Sequence, residues 1–564
     1  MQITGAELIA RSLIACGITH VFNVPGLGIH PLLEAVRQHR DELRYFTAPS
    51  ETAVTLMADG YGRASGQPAF VNVYHASGTA LGMMGVTTAW ADRSPMVFTT
   101  TTSSRVLARR DQYASVPGDI TDTTRQFVKW GWEVPLVARI PEAIARATMI
   151  AATTPKGPVH LAFPMDLYPD TIDVAEAEAL LARWAKSIPG DVSGTATASA
   201  FAAAAARLTR SQRPLIVAGG EVAQSGGVAA LVALAERTGA AVFLEPYVAY
   251  MGFPNDHPQF LGKFSPGHPL VKDADVVLLA GAELTEGGGP APYEPGSATV
   301  IAVASGIEDV AKQLRPDLTL LGRPASVLED LLEQLPVSAA RSEWRQRIEG
   351  ARRTYTERLA AQVSTNWDTR PVSVPRLTKE LEAVFGRNAV IVDHSTTGTA
   401  CVLQMYDFPD CSRYFGISAR ASAQGWGTPA AIGIQIARPR ERVVVLAGDG
   451  GFMFTGSALY AAALWRLPIV VIVLSNGGWY DVAYGAQAKR GWTEEDLRAF
   501  GWRLDPPIDH AQFAASLGIA SSRVSSVEQL RPALESARDR AGPVMIVVDT
   551  DPRAIEYYLD WLQR

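Results

Sequence analysis

The chain is poor in cysteine, carries no excess of positive charge and has no apolar run long enough to cross a bilayer. Its three cysteines, Cys16, Cys401 and Cys411, fall at no metal-ligand spacing and make no even set for a disulfide framework. That argues against a disulfide-stapled secreted scaffold and fits a reducing compartment. A formal charge of −6 at pH 7 leaves no basic surplus, so no nucleic-acid partner is expected. No segment reaches the roughly 18 consecutive apolar residues of a membrane span. The first residues place Glu7 inside an amphipathic helical pattern, unlike a secretory signal. Repeats of about 20–50 residues and low-complexity tracts are also missing. With 47% hydrophobic and 19% charged residues over 564 positions, the expectation is a cytoplasmic enzyme of several α/β domains.

The most telling segment runs from Val443 to Asp481. The β-branched run Val443 to Val445 leads to Gly448-Asp449-Gly450, followed by Gly451. A helical stretch, Ser457 to Leu464, passes through Pro468 into the apolar strand Ile469 to Leu474, which stops at Ser475-Asn476-Gly477-Gly478. Two buried strands joined by a helix read as a βαβ crossover, with Asp449 and Asn476 both just past strand carboxyl ends. Open α/β sheets bind ligands at that edge. A carboxylate near an amide oxygen suits a hard divalent cation such as Mg²⁺, which takes a few protein oxygens plus phosphate. Glycines 448, 450 and 451 let the backbone approach that phosphate. A Gly-Asp-Gly alone is a common strand-ending turn, and the asparagine turn after the next strand is what raises it to a metal-diphosphate site. A nucleoside-triphosphate loop is disfavoured, because no GxxxxGK[ST] lies near this strand.

Linker chemistry divides the rest into three blocks: 1–180, 195–340 and 370–564. The first opens with a helix from Gly5 to Cys16, strand His20 to Asn23 and the Pro25-Gly26 turn. Leu181 to Ser199, with Pro189-Gly190 and a Ser/Thr/Ala-rich tail, reads as a linker. The second block has strands Pro214 to Ala218, Ala241 to Leu244, Asp275 to Ala280 and Thr299 to Val303, with helix Gly227 to Thr238. It is Rossmann-like but lacks a GxGxxG fingerprint. A charged connector, about Pro336 to Ser373, leads into the third.

The run from Gly448-Asp449-Gly450 to Asn476 resembles the diphosphate signature of thiamine-diphosphate-dependent enzymes. Further stretches widen the resemblance to nearly the whole chain: Glu51 through Gly66, Tyr74-His-Ala-Ser-Gly, Val128-Lys-Trp, Gly252-Phe-Pro through His257-Pro, and Pro429-Ala-Ala-Ile-Gly. The chain is thereby similar to the 2-oxo acid decarboxylase/carboligase family, and within it to the benzoylformate decarboxylase branch. The resemblance implies three Rossmann-like open-sheet domains (pyrimidine-binding, central, diphosphate-binding) and two cofactors, thiamine diphosphate and Mg²⁺. The metal ligands would be Asp449, Asn476 and the carbonyl of Gly478. Pro25, Gly26, Glu51, Thr396, Thr397, Gln424, Gly448, Gly450 and Gly451 would join them around the cofactor. Glu51 matches the family's cofactor-activating glutamate, and His75 an active-site histidine. Gln424 stands where relatives carry the bulky side chain that bends the cofactor.

Departures bear on the substrate. Ser475 replaces the first of a frequent asparagine pair, and Leu27 replaces an active-site serine of the benzoylformate branch. Leu27, His30, His75 and Asp481 are the candidate substrate-pocket residues, Asp481 also being a catalytic candidate. His394, before the threonines, is a further polar residue. Plain alternatives exist: His30 as a loop residue, His394 as a structural partner, Asp481 as a helix cap. The implied activity is non-oxidative decarboxylation of a 2-oxo acid, aromatic or branched, through an enamine, with carboligation as a second outcome. Alternatives are a 2-hydroxyacyl-CoA lyase or other carboligase, and, in another class, a catalytically silent cofactor-binding subunit. The expected partners are a small 2-oxo acid or 2-hydroxyacyl substrate and a second copy of the chain, as a homodimer at minimum and a homotetramer in full.

Overall fold

The structure, a computed structural model, describes residues 1–564 apart from 109, 111–115, 117, 186–195, 285–292, 311, 313, 337–340, 419, 553 and 558–564. It is α/β throughout and carries three six-stranded parallel sheets. In the first sheet, strand Arg44–Thr47 lies at one edge, followed by His20–Asn23, Ala69–Tyr74, Met96–Thr102, Pro158–Pro164 and Gly131–Glu133. The third sheet has the same order of chain positions: second strand, first, third, fourth, sixth, fifth. There the strands are Tyr414–Phe415, Val390–His394, Val443–Gly448, Val470–Ser475, Val544–Asp549 and Ala520–Val524. The central sheet instead runs third, second, first, fourth, fifth, sixth, from Phe260–Lys263 to Leu318–Leu321. Parallel strands buried on both faces explain the near-continuous Val/Ile/Leu runs seen in the sequence.

By contacts the chain forms two compact units. One comprises Met1–Val192, Arg420–Arg440 and Thr455–Ile469; the other comprises Ser193–Ala419, Glu441–Phe454 and Val470–Arg564. The first unit thus takes two pieces of the third block. Helix Gly427–Ala437 packs on helix Glu51–Ser65, and glycines set the approach. A Cβ at Gly433 would lie 1.8 Å from the Met57 carbonyl oxygen, and one at Gly60 would lie 2.1 Å from that of Ala430. Across the same crossing, the Arg63 guanidinium donates to Asp59 at 2.8 Å and to Asp92 at 2.5 Å, all three buried. The Trp426 indole N–H donates to Asp59 at 2.8 Å, and Arg63 stacks over the Trp426 ring. The Asp-Gly-Tyr-Gly-Arg motif is therefore a helix-crossing device. Removing one partner of a buried ion cluster leaves charge without compensation, so Asp59→Ala is expected to cost about 3 kcal/mol. Urea denaturation followed by tryptophan fluorescence measures it; a midpoint equal to that of the wild type would contradict the role.

The second unit holds the central and third sheets. One apolar cluster includes residues of both, among them Leu278, Ile301, Val444 and Ile546. Asn255 ties them further, donating to the carbonyls of Leu403 and Tyr406 and accepting from the Phe408 N–H. The expected linker needs correction at its start: Leu181 belongs to helix Val174–Ala185, and helix Ala198–Arg210 begins within its end. Residues 186–195 lie outside the described set. An Ala/Leu/Glu-rich segment with helical spacing outweighs the small-residue signal there. The turn at Gly448 also differs, since Asp449 opens a short helix, Asp449–Met453.

Candidate active site

In the first unit, three neighbouring strands end on the candidate residues. His20–Asn23 leads to Pro25-Gly26, Arg44–Thr47 leads to Glu51, and Ala69–Tyr74 runs directly into His75. Glu51 is the first residue of helix Glu51–Ser65, whose N-cap Ser50 accepts from the Ala53 N–H. A carboxylate there is favoured by the helix dipole. A Cβ at Gly78 would sit 3.2 Å from Glu51 Oε1, so the glycine keeps the carboxyl's flank open. Gly26 and Gly28 press on the Tyr74 ring, where a Cβ would come within 2.9 and 2.8 Å.

His75 has a left-handed backbone, φ +57, at the start of helix His75–Ala91. Such a conformation costs a non-glycine residue of order 1–3 kcal/mol and clusters at functional sites. The ring is buried against that of Tyr74, and burial pushes its pKa down, favouring neutral imidazole. Leu27 is 73% exposed, and Pro25 and His30 are exposed as well. Gln424 is half-buried in the turn before helix Gly427–Ala437, beside Gly425 at φ +87.

Beneath this edge lies a buried polar ladder that the sequence reading missed. Asn23 donates to the Asn72 carbonyl at 2.8 Å, and Asn72 donates to Thr99 and Thr101 at 3.0 and 3.1 Å. Thr101 pairs with the Tyr168 hydroxyl. The available signal was Asn72 itself, a polar residue inside the buried strand Ala-Phe-Val-Asn-Val-Tyr, where an unpaired amide would be costly.

In the second unit, three adjacent strands again converge. Val390–His394 ends at Thr396 and Thr397, Val443–Gly448 at Asp449, and Val470–Ser475 at Asn476. Asp449 is buried. The Gly450 N–H donates to its Oδ1 at 2.8 Å, and the N–H groups of Asn476 and Gly477 donate to Oδ2 at 3.1 and 2.7 Å. Burial pushes its pKa up, and these backbone donors oppose that. Gly477 has φ +87 and Gly478 φ +153, and a Cβ at Gly478 would lie 2.4 Å from the Trp502 carbonyl oxygen. Both turn glycines are therefore required. Thr396 has φ +56, an outlier for a β-branched residue, and Thr397 is buried.

His394 is buried at its strand end, and its neighbour Asp393 accepts from Ser395 Oγ at 2.6 Å. Asp481 is half-buried in the first turn of helix Tyr480–Arg490, whose N-cap is Trp479 with no side-chain capping bond. Its capping alternative is not realised.

The Asn476 Oδ1 atom is buried and has no hydrogen-bond partner among the described residues. An amide oxygen next to a buried carboxylate is a donor set that could hold a cation. Carboxylate, amide and carbonyl oxygens are hard donors, as Mg²⁺ requires. Among the described residues no group of three or more His, Cys, Asp or Glu is placed to hold a metal ion.

Both sets of strand ends fall within domains that match known proteins. Residues 3–121, 201–331 and 396–548 match the N-terminal TPP-binding, central and C-terminal TPP-binding domains of thiamine pyrophosphate enzymes. The chain belongs to the thiamine pyrophosphate enzyme family. It is 31% identical to a benzoylformate decarboxylase of Pseudomonas aeruginosa, over 95% of this chain and 96% of that one. It is 29% identical to an acetolactate synthase of Bacillus subtilis, over 97% and 93%. A solved thiamine diphosphate-dependent 4-hydroxybenzoylformate decarboxylase from Rhodococcus jostii superposes with a TM-score of 0.83 at 26% identity, covering 97% of this chain and 99% of that one. The chain is thus a thiamine-diphosphate-dependent enzyme, in a family of decarboxylases, acetolactate synthases and carboligases that act on small molecules. Among the described residues no helix is long and apolar enough to cross a membrane.

Proposed function

We propose that this enzyme decarboxylates a 2-oxo acid non-oxidatively, as a Mg²⁺-dependent lyase. The observation that carries the reading is His75, a buried imidazole in strained backbone at a strand end beside the Glu51 edge. Thiamine diphosphate, when bound, supplies a carbon nucleophile and an electron sink next to a carbonyl carbon. Asp449, Asn476 and the Gly478 carbonyl hold Mg²⁺, while Thr396, Thr397, Gly448, Gly450 and Gly451 leave room for phosphate oxygens. Glu51 holds a proton at the aminopyrimidine ring nitrogen, with Pro25, Gly26 and Gln424 supporting the cofactor. His75 moves a proton at the oxygen or carbon of the reacting substrate, a task suited to an imidazole whose pKa burial lowers, favouring the neutral ring. Leu27, His30 and Asp481 shape the substrate side.

Similarity to benzoylformate and 4-hydroxybenzoylformate decarboxylases favours an aromatic side chain on the substrate. A second reading, carboligation, is favoured by the nearly equal identity to an acetolactate synthase. The catalytic unit is a dimer at minimum and a tetramer in full, working in the cytoplasm. The deciding experiment supplies aromatic, branched and linear 2-oxo acids, with 2-hydroxyacyl-CoA substrates in parallel, and measures CO₂, aldehyde and ligation product. Aromatic 2-oxo acids are expected to give CO₂ and aldehyde in equal amounts, and His75→Ala to lower kcat by about 100-fold or more. CO₂-free cleavage of the acyl-CoA substrates alone would replace decarboxylation with the lyase reading.

A further inference from the structure

In the first unit, a second set of buried polar side chains runs to His75 from the sheet. Strand Met96–Thr102 turns Thr99 and Thr101 toward the Asn72 ladder, and strand alternation puts Thr100 on the opposite face. There Thr100 Oγ1 lies 2.7 Å from Thr79 Oγ1 of helix His75–Ala91. It also lies 2.9 Å from Nε2 of His160, in the neighbouring strand Pro158–Pro164. Thr79 Oγ1 donates to the His75 carbonyl at 2.9 Å, one helical turn back. At the far end, His160 Nδ1 lies 2.8 Å from Thr124 Oγ1. Thr79, Thr100, Thr124 and His160 are all fully buried. Gly82 lets the helix come down on the sheet here. A Cβ at that position would lie 3.0 Å from the Phe98 ring, whose centroid is 4.9 Å from that of His160.

A carbonyl accepts and cannot donate, and that fixes the proton in each link. Burial pushes the His160 pKa down to about 3, with Asp119 opposing, so the ring is neutral and offers one donor and one acceptor. The Thr79 proton goes to the His75 carbonyl, so the Thr79 oxygen accepts from Thr100. Thr100 therefore accepts from a protonated Nε2 of His160, and Nδ1 accepts from Thr124. The other tautomer would leave the Thr79–Thr100 link without a proton. A hydroxyl bonded back over four residues is ordinary in this chain, as at Thr55, Thr88 and Thr148. At Thr79 the hydroxyl is also held from the sheet, which ties the His75 carbonyl to two strands as well as to its own helix.

We propose that Thr79, Thr100 and His160 form a positioning chain for His75, holding its left-handed backbone and so aiming its imidazole at the substrate. This role takes as given the proton transfer proposed for His75. Left-handed backbone at a non-glycine residue persists where the surroundings over-determine it, and His75 sits at φ +57. A buried, fully paired network supplies that constraint, because breaking one link leaves polar groups without partners in a dry interior. None of the three residues reaches the substrate; each acts through the His75 carbonyl. Small misplacements of a proton-transfer group slow the chemical step far more than they weaken binding. The chain therefore bears on kcat rather than on KM.

The test uses holoenzyme saturated with thiamine diphosphate and Mg²⁺, and whichever 2-oxo acid of the panel above it turns over fastest. Thr79→Val and Thr100→Val keep the β-branched shape and remove one hydroxyl each. Each is expected to lower kcat by about tenfold, with KM and thiamine diphosphate affinity within about twofold of wild type. Thr79→Ser, which returns the hydroxyl, is expected to recover most of the loss. In a His75→Ala background, Thr79→Val should change kcat by less than about twofold, since both act through one residue. Imidazole nitrogen shifts read by NMR are expected to show His160 neutral with its proton on Nε2. A lower unfolding midpoint with unchanged kcat in both valine variants would make the chain purely structural and overturn the proposal. So would a His160 proton on Nδ1, or equal losses from Thr79→Val with and without His75. Wild-type turnover in His75→Ala is a different failure, which would remove the proton-transfer role itself.

Discussion

Asp449→Ala is expected to leave a folded protein that no longer retains thiamine diphosphate, its affinity falling by about 100-fold or more. Of the three proposed metal ligands, only the Asp449 carboxylate carries formal charge; the Asn476 amide and Gly478 carbonyl are neutral. A doubly charged cation bridging to a diphosphate needs that charge to stay at the strand end. The same carboxylate also accepts the N–H groups of Gly450, Asn476 and Gly477, so alanine removes their acceptor too. Asp449→Asn separates the two effects, because its amide oxygen can still accept part of these bonds without supplying charge. Both variants are expected to lose the cofactor, with Asp449→Asn the nearer to wild-type thermal stability. Titration calorimetry with thiamine diphosphate and Mg²⁺ measures the first, and thermal unfolding of the cofactor-free protein the second. Full cofactor affinity in Asp449→Asn would remove the carboxylate from the ligand set.

How much of this was legible beforehand follows from where the signals are local. Strands His20–Asn23, Pro214–Ala218 and Ala241–Leu244 could be bounded from sequence, because β-branched runs between turn residues specify themselves. The two side chains proposed as metal ligands, Asp449 and Asn476, each follow directly on a strand, so their position at strand ends was readable for the same reason. Polar pairing across strands was not readable, since Asn23, Asn72 and Thr101 meet only once the sheet order is known. Nor was the exchange by which Arg420–Arg440 and Thr455–Ile469 join the unit of the first sheet. It depends on a glycine-mediated helix crossing between Met57 and Gly433, positions remote in sequence.

Glu51→Gln is expected to preserve fold and much of the cofactor affinity while slowing proton exchange at the thiazolium carbon by about two orders of magnitude or more. Glutamine keeps the length and a hydrogen-bonding head at the start of helix Glu51–Ser65, so the helix and its Ser50 cap should stand. What it lacks is a proton that can be passed to and fro. Loss of exchange with retained binding is therefore the signature of an activating carboxyl, and loss of binding would indicate a structural one. Deuterium exchange on the bound cofactor, read by NMR after acid quench, measures the rate; a wild-type rate would remove Glu51 from activation. The same variant tests the proposed assembly. Family resemblance implies that one cofactor is served by Glu51 from one copy and Asp449 from another. Mixing Glu51→Gln chains with Asp449→Ala chains, each inactive alone, should then restore activity, because half the sites in a mixed dimer receive both intact residues. Mixed dimers verified by mass that show no turnover would mean that each chain completes its own site.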